Sequence, residues 1–140
     1  MPLWRALLHA AGRVEATLEG ELAAEGLSIS KLGMLSALVE NGESLPLSRL
    51  AGKLACVKSN VTQLVDRLEA EGLVRRVADP TDRRSVLAEI TPEGITRHEA
   101  GRRIVAEIEL DLFGKLSGEE RDGFARILEA LGAGECPEST

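Results

Sequence analysis

One face of a predicted helix between residues 57 and 68 carries side chains that could contact nucleic-acid bases. Apolar residues recur there with helical spacing, at Val57, Val61, Leu64, Val65 and Leu68. The opposite face has short polar, amide and basic groups in place of the Glu/Lys mixture of an ordinary solvated helix: Lys58, Ser59, Asn60, Thr62, Gln63, Asp66 and Arg67. Asn or Gln can bond an adenine edge through two hydrogen bonds, and Arg or Lys suits guanine. This face therefore indicates contact with base edges in a major groove.

Two adjacent arginines, Arg83 and Arg84, could place cations beside phosphates or in a narrowed minor groove. They follow a turn-forming cluster of Asp, Pro and Thr at residues 79–82. From Lys53 to Arg84 the chain has seven basic residues against five acidic ones, whereas the net charge of the whole chain is −6. Positive charge is thus concentrated around the candidate contacts.

The elements that would position these groups can be predicted from periodicity. A short helical segment follows Pro46, and the polar-faced helix comes after it. Two strand-like segments, residues 73–77 and 86–90, flank the turn at 79–82 and predict a β-hairpin. A short helix, a turn and a longer helix with a polar outer face are typical of a helix-turn-helix, to which the hairpin adds a wing.

Further helices are predicted on both sides of this unit. The first spans about residues 3–24, and Ser28 is a plausible N-cap for the second. Thr91-Pro92 has the form of an N-cap followed by proline at the first helical position, which starts a long helix. Ser117 opens a capping-box sequence before the last helix. The expected fold class is therefore mainly α with a small β-hairpin wing.

We expect residues 1–140 to form a single domain. Its winged-helix lobe would span about residues 28–92. Apolar stripes on the helices of residues 1–26 and 93–133 exceed what this lobe can cover, so we expect those helices to dimerise. Residues 134–140 have no periodicity and are expected to be a tail.

The segment from residue 50 to residue 94 closely resembles the winged-helix core of the MarR (multiple antibiotic resistance regulator) family. The matching landmarks are VTQLVDRLE at 61–69, GLV at 72–74 with Arg76, DPTDRR at 79–84 and ITPEG at 90–94. The flanking helices match in order and length, so the resemblance covers nearly the whole chain. One departure is Val57, where the family often has a Ser or Thr N-cap. Ser59 could replace that cap if the helix starts later.

The resemblance implies a homodimer held by the first and the last two helices. The fourth helix would enter the major groove, and Arg84 would reach the minor groove, steadied by Asp82. The family's small-molecule pocket would lie between the DNA-binding lobe and the dimerisation helices. The function expected is therefore that of a ligand-responsive repressor, which binds a pseudo-palindromic operator in double-stranded DNA.

The candidate site residues fall into two groups. The expected DNA contacts are Lys58, Ser59, Asn60, Thr62, Gln63, Arg67, Arg75, Arg83 and Arg84, with Asp82 as support for the wing. The expected effector contacts, for a small aromatic or anionic ligand, are His9, Arg13 and Met34. Asp66 is predicted to form an ion pair with Arg67 that orients the helix, and Arg75 and Arg76 could instead simply flank a strand.

Two other interpretations remain open from the sequence. The winged helix could be a protein–protein interaction module without DNA binding, or Cys56 could sense oxidants as a thiol. An enzyme is not expected because no nucleophile elbow, phosphate-binding loop or paired carboxylates with supporting geometry appear. Neither a metal site nor a cofactor is expected, and aromatic residues, at 2%, are too few for a single-strand stacking surface. No apolar run is long enough to cross a membrane, so we expect a cytoplasmic protein.

Overall fold

Helices form most of the structure, a computed structural model that describes residues 1–54 and 60–133. Three strands in this part of the chain form one antiparallel sheet in the order β1-β3-β2. The predicted fold class, mainly α with a small β-hairpin wing, is confirmed. The elements are α1 (Leu3–Ala23), α2 (Ile29–Glu40), β1 (Ser44–Pro46), α3 (Leu47–Lys53), α4 (Val61–Ala70), β2 (Val74–Asp79), β3 (Asp82–Ile90), α5 (Pro92–Phe113) and α6 (Gly118–Ala130).

Helix starts follow the signals in the sequence because their caps are local. The side chains of Ser28, Thr91 and Ser117 each accept a hydrogen bond from a backbone amide three residues later. These bonds satisfy amides that have no partner inside α2, α5 and α6. At Ser117 the capping box is complete, since the Glu120 carboxylate in turn accepts from the Ser117 backbone amide.

The sheet is larger than predicted. The hairpin strands run to Asp79 and from Asp82, so only two residues join them. The Asp79 carboxylate accepts hydrogen bonds from the amide and hydroxyl of Thr81, at 2.9 and 2.7 Å, and these bonds lower the pKa of Asp79. Strand β1, which was not predicted, pairs with β3 through Leu45 opposite Ala88.

The core is aliphatic and lies mainly inside the winged-helix lobe. Its fully buried large side chains come from α1 to α4, from the turn after α4 and from the start of β2: Leu22, Met34, Leu35, Leu38, Leu50, Val65, Leu68, Leu73 and Val74. Leu50 of α3 and Val65 and Leu68 of α4 are anchored in this core by close packing. Among residues 1–54 and 60–133, no helix is both long and apolar enough to cross a bilayer.

The start of α5 is fixed against the turn that follows α4. The hydroxyl of Thr91 donates to the carbonyl of Gly72 at 2.7 Å, and the amide of Thr91 donates to the carbonyl of Leu73 at 3.0 Å. Gly94, in the first turn of α5, lies so close to Leu73 that a Cβ atom would overlap its carbonyl oxygen. The backbones of the two elements are therefore in direct contact.

Farther along, α5 packs against α2, and the two helices share a buried polar contact. His98 is 5% exposed, and its Nε2 lies 3.1 Å from the hydroxyl of Ser36 on α2. Burial lowers the pKa of His98, and Arg102 lowers it further, while Glu40 and Glu99 oppose the shift. The contact thus joins the long helix to the lobe through a histidine that favours its neutral form.

Adding a methyl group at Gly94 tests whether the close contact between α5 and Leu73 is essential. We expect Gly94→Ala to lower the free energy of unfolding by roughly 1–3 kcal/mol, because the added methyl forces α5 off the α4–β2 turn. The measurement is urea denaturation at one fixed protein concentration. The matched control is Gly20→Ala in α1, where nothing lies within 4 Å of the added Cβ. A stabilisation of up to about 1 kcal/mol is expected there, and equal effects at both positions would contradict the close contact.

Candidate nucleic-acid interface

The polar-faced helix α4 begins at Val61, later than its apolar stripe suggested. Asn60 is its N-cap, and the side-chain oxygen of Asn60 accepts from the amide of Gln63 at 3.3 Å. Neither Val57 nor Ser59 lies within the described residues, and Asn60 performs the role considered for Ser59. Because its oxygen already accepts one bond in the cap, a two-bond contact between Asn60 and adenine would require that oxygen to accept a second hydrogen bond.

The outer face of α4 is exposed as the sequence predicted. Leu64, Val65 and Leu68 point into the core. Thr62, Gln63, Asp66 and Arg67 are exposed on the other side of the helix. The candidate contacts Lys58 and Ser59, and the candidate thiol sensor Cys56, lie outside the described residues.

Arg76 connects α4 to the wing. Its guanidinium donates to Asp66 at 2.6 Å and to Glu69 at 2.8 Å, and its backbone amide donates to Glu69 at 2.9 Å. The bond to Asp66 is the main cause that raises the pKa of Arg76. The predicted partner of Asp66, Arg67, was therefore wrong, because Asp66 reaches across to β2 instead of along its own helix.

The wing has two exposed arginines at the start of β3, just after the hairpin turn. Arg83 and Arg84 form no ion pair with any described carboxylate. The carboxylate of Asp82 accepts from the backbone amide of Arg84 at 3.0 Å, so Asp82 fixes the backbone there. Arg75 differs, since its guanidinium binds Glu89 across the hairpin with Nε at 2.8 Å. A phosphate would compete with that carboxylate for the guanidinium, and Arg75 stays a candidate contact from the sequence.

Two cations on α3 were missed in the sequence. Arg49 and Lys53 are exposed, lie one turn apart, and form no ion pair within the described part of the chain. The first helix of a helix-turn-helix crosses the DNA backbone, so these are the cations nearest to that role. Their i, i+4 spacing is visible in the sequence, where it places both cations on one face of this short helix.

The predicted effector residues do not come together. His9 and Arg13 are exposed on α1, whereas Met34 is completely buried in the core. A cavity of about 620 Å³ does lie between α1, the start of α2, the end of α5 and α6. None of these three residues lines it. Its walls include Leu7, Val14, Leu18, Ile29, Phe113 and Phe124.

The geometry has clear counterparts among known proteins. A family model described as MarR family matches residues 27–86. The HTH-type transcriptional regulator MhqR of Bacillus subtilis (strain 168) is 32% identical over 108 residues, which cover 76% of this chain and 73% of that protein. The structure of Sco3205, a MarR family transcriptional regulator from Streptomyces coelicolor in complex with DNA, aligns with a TM-score of 0.82 at 28% identity, over 96% of this chain and 86% of that one.

A more distant structure shares the fold. The organohalide-sensing RdhR-CbdbA1625 transcriptional regulator, in its 2,4-dichlorophenol bound form, aligns with a TM-score of 0.84 at 21% identity. The alignment covers 96% of this chain and 80% of that one. The winged-helix arrangement described above is therefore common to both chains.

A double-mutant cycle tests which arginine holds Asp66. We expect Asp66→Asn and Arg76→Gln to be coupled by about 0.5–1 kcal/mol in the free energy of unfolding, because the pair is partly exposed and screened by salt. The matched control combines Asp66→Asn with Arg67→Gln, for which we expect coupling near zero. Coupling to Arg67 in place of Arg76 would restore the partner that the sequence suggested.

Proposed function

This chain belongs to the MarR family of winged-helix transcription regulators, and from that premise we propose that it represses transcription as a homodimer bound to a pseudo-palindromic operator. The observation that carries the proposal is the set of exposed, unpaired cations around the polar face of α4. They lie on α3, on α4 and on the wing: Arg49, Lys53, Arg67, Arg83 and Arg84. The Streptomyces coelicolor relative, whose structure is a complex with DNA, supports DNA binding by this chain.

Within this interface we assign base contacts to the first exposed turn of α4. Gln63 has an amide suited to an adenine edge, and Thr62 can bond a base or contact a thymine methyl group. Asn60 caps the helix with its side-chain oxygen, and its NH₂ group can donate to a base or a phosphate. Lys58 and Ser59 stay candidates from the sequence.

The remaining cations would bind the DNA backbone or the minor groove. Arg49, Lys53 and Arg67 are assigned to phosphates, where they fix the register of α4 without selecting a sequence. Arg84 would enter the minor groove, with its backbone held by Asp82. Arg83 would lie beside a phosphate on the same edge of the wing.

The homodimer is proposed from apolar surface that the single chain leaves exposed. These side chains lie on the first turns of α1, on the second half of α5, on α6 and at its C-cap: Leu3, Trp4, Leu8, Leu110, Ile127 and Leu131. A two-fold axis through these helices would present two α4 helices to successive major grooves, about 34–36 Å apart. We further propose that a small ligand controls the spacing of the two α4 helices.

Two substitutions separate wing contacts from base contacts. We expect Arg84→Ala to weaken operator binding and to reduce the salt dependence by about one counterion, with sequence preference unchanged. Gln63→Ala should relax the preference at one base pair by about 1–3 kcal/mol if the contact uses two bonds. Fluorescence anisotropy at several salt concentrations, with an operator selected from genomic fragments, gives both quantities.

The control for lost charge is Arg126→Ala, which removes an exposed cation from α6. It should leave the affinity and the salt dependence unchanged. If the Arg84 and Gln63 variants fold normally and also bind like the unmodified protein, the DNA interface is misplaced. Failure of the unmodified protein to bind any fragment would favour the interaction-module interpretation.

A further inference from the structure

The cavity beside α1 contains both phenylalanines of a chain that has almost no aromatic residues. Phe113 at the end of α5 and Phe124 on α6 line it, with ring centroids 6.0 Å apart and planes tilted by 35°. Trp4 is the only other aromatic residue in the sequence. At about 620 Å³, the cavity has the size of ordinary small-molecule sites. Aromatic faces in such a site attract cations through their quadrupole.

The charged groups at this cavity are carboxylates. Glu15 and Glu19 line it from successive turns of α1, and no Lys, Arg or His is among the described residues that do so. Apart from Ser30 the remaining walls are apolar, so these two carboxylates set the sign of the charge at the cavity. Water screens the half-buried Glu19 less than the exposed Glu15. A ligand with a negative charge would be repelled, while an ammonium group would be attracted.

We propose that this cavity binds an apolar cation, such as an aromatic or alkyl ammonium compound, and that its binding lowers the affinity for DNA. The proposal deepens the regulatory function proposed above and rests on it. It replaces the anionic ligand expected from His9 and Arg13, since neither residue lines the cavity. The ammonium group lies between the carboxylates of Glu15 and Glu19, and the apolar part of the ligand contacts the two phenylalanines.

Glu19 also connects the cavity, through contacts with α2, to the end of α4. Its carboxylate accepts from the backbone amide of Ile29 at 2.8 Å, which holds the first turn of α2. In that same turn, the ammonium of Lys31 binds the carboxylate of Glu71 at 2.6 Å and the carbonyl of Gly26 at 3.3 Å. Glu71 is the C-cap residue of α4. A ligand that draws Glu19 away from Ile29 therefore loosens the turn that holds the end of α4.

The proposed dimer leaves room for such a ligand. Most exposed apolar residues of the helices proposed to form the dimer, among them Trp4, Leu8 and Ile127, do not line the cavity, whereas Leu7 and Phe124 are partly exposed and do line it. On α1 the residues outside the lining precede or lie beside the cavity-lining stripe of Leu7, Val14 and Leu18. Association through them does not require the partner subunit to fill the space between α1 and α6.

Three probes of one shape and different charge test the proposal: para-tert-butylbenzylamine, para-tert-butylbenzyl alcohol and para-tert-butylbenzoate. Calorimetric titration of the full chain at neutral pH measures their binding without DNA. We expect the amine to bind at least about tenfold more tightly than the benzoate, with the alcohol between them. By reciprocal coupling, the amine should weaken operator binding by about tenfold at saturation.

Variants then assign the preference to the carboxylates. Glu19→Gln removes the charge but keeps an oxygen that can accept from Ile29, and we expect it to abolish the preference for the amine. Glu15→Gln, at an exposed position, should weaken amine binding without a change in fold. The matched control, Glu119→Gln, removes an exposed charge from α6 outside the cavity lining and should leave amine binding unchanged.

Each contrary result overturns the proposal. Tighter binding of the benzoate, or equal binding of all three probes, would show that the carboxylates do not select the ligand. Absence of binding by any probe would indicate that a second copy of the chain fills the cavity. All three results come from titrations without DNA, so they are distinct from a failure to bind the operator, which would refute the regulatory function itself.

Discussion

The hydroxyl of Thr91 makes two hydrogen bonds that determine how the two halves of the chain meet. It accepts from the amide of Gly94 as the N-cap of α5, and it donates to the carbonyl of Gly72 in the turn that ends α4. The absence of a side chain at Gly94 lets α5 contact Leu73 directly. A tilt of α5 must therefore move the end of α4 and the start of β2 together. The geometry of the DNA-binding surface is thus coupled to the helices proposed to form the dimer.

Charge pairing decides which cations stay available for DNA in an acidic protein. Arg75 and Arg76 are engaged by carboxylates of the sheet and of α4, and so they shape the wing. The unpaired cations of the described residues near α4 all lie on one functional unit, made of α3, α4 and the wing. A net charge of −6 is compatible with DNA binding because the local arrangement, and not the sum, sets the field at the interface.

Most features that depend on neighbours in sequence could be predicted, apart from the cap at Asn60 and the pair of cations on α3, and features that depend on tertiary contacts could not. The caps at Ser28, Thr91 and Ser117 are local and were found, as were the helices that they start. Strand β1 was not predicted because a segment of three residues ending in proline is too short to show a strand periodicity. It is a strand only because it pairs with β3. Asp66 was given the wrong partner because Arg76 becomes its neighbour only when β2 packs against α4. Met34 was placed at a ligand site because the period of α2 does not show how deeply its apolar face is buried.

The most direct test of the account is the stoichiometry and spacing of the complex with operator DNA. Sedimentation equilibrium with a labelled operator duplex counts the chains, and hydroxyl-radical footprinting locates the contacts. Two 15.0 kDa chains per duplex are predicted, with protected segments centred about one helical turn apart, roughly 34–36 Å. One chain per duplex at saturation, with a single protected segment, would contradict the proposal that two α4 helices related by a two-fold axis bind the operator.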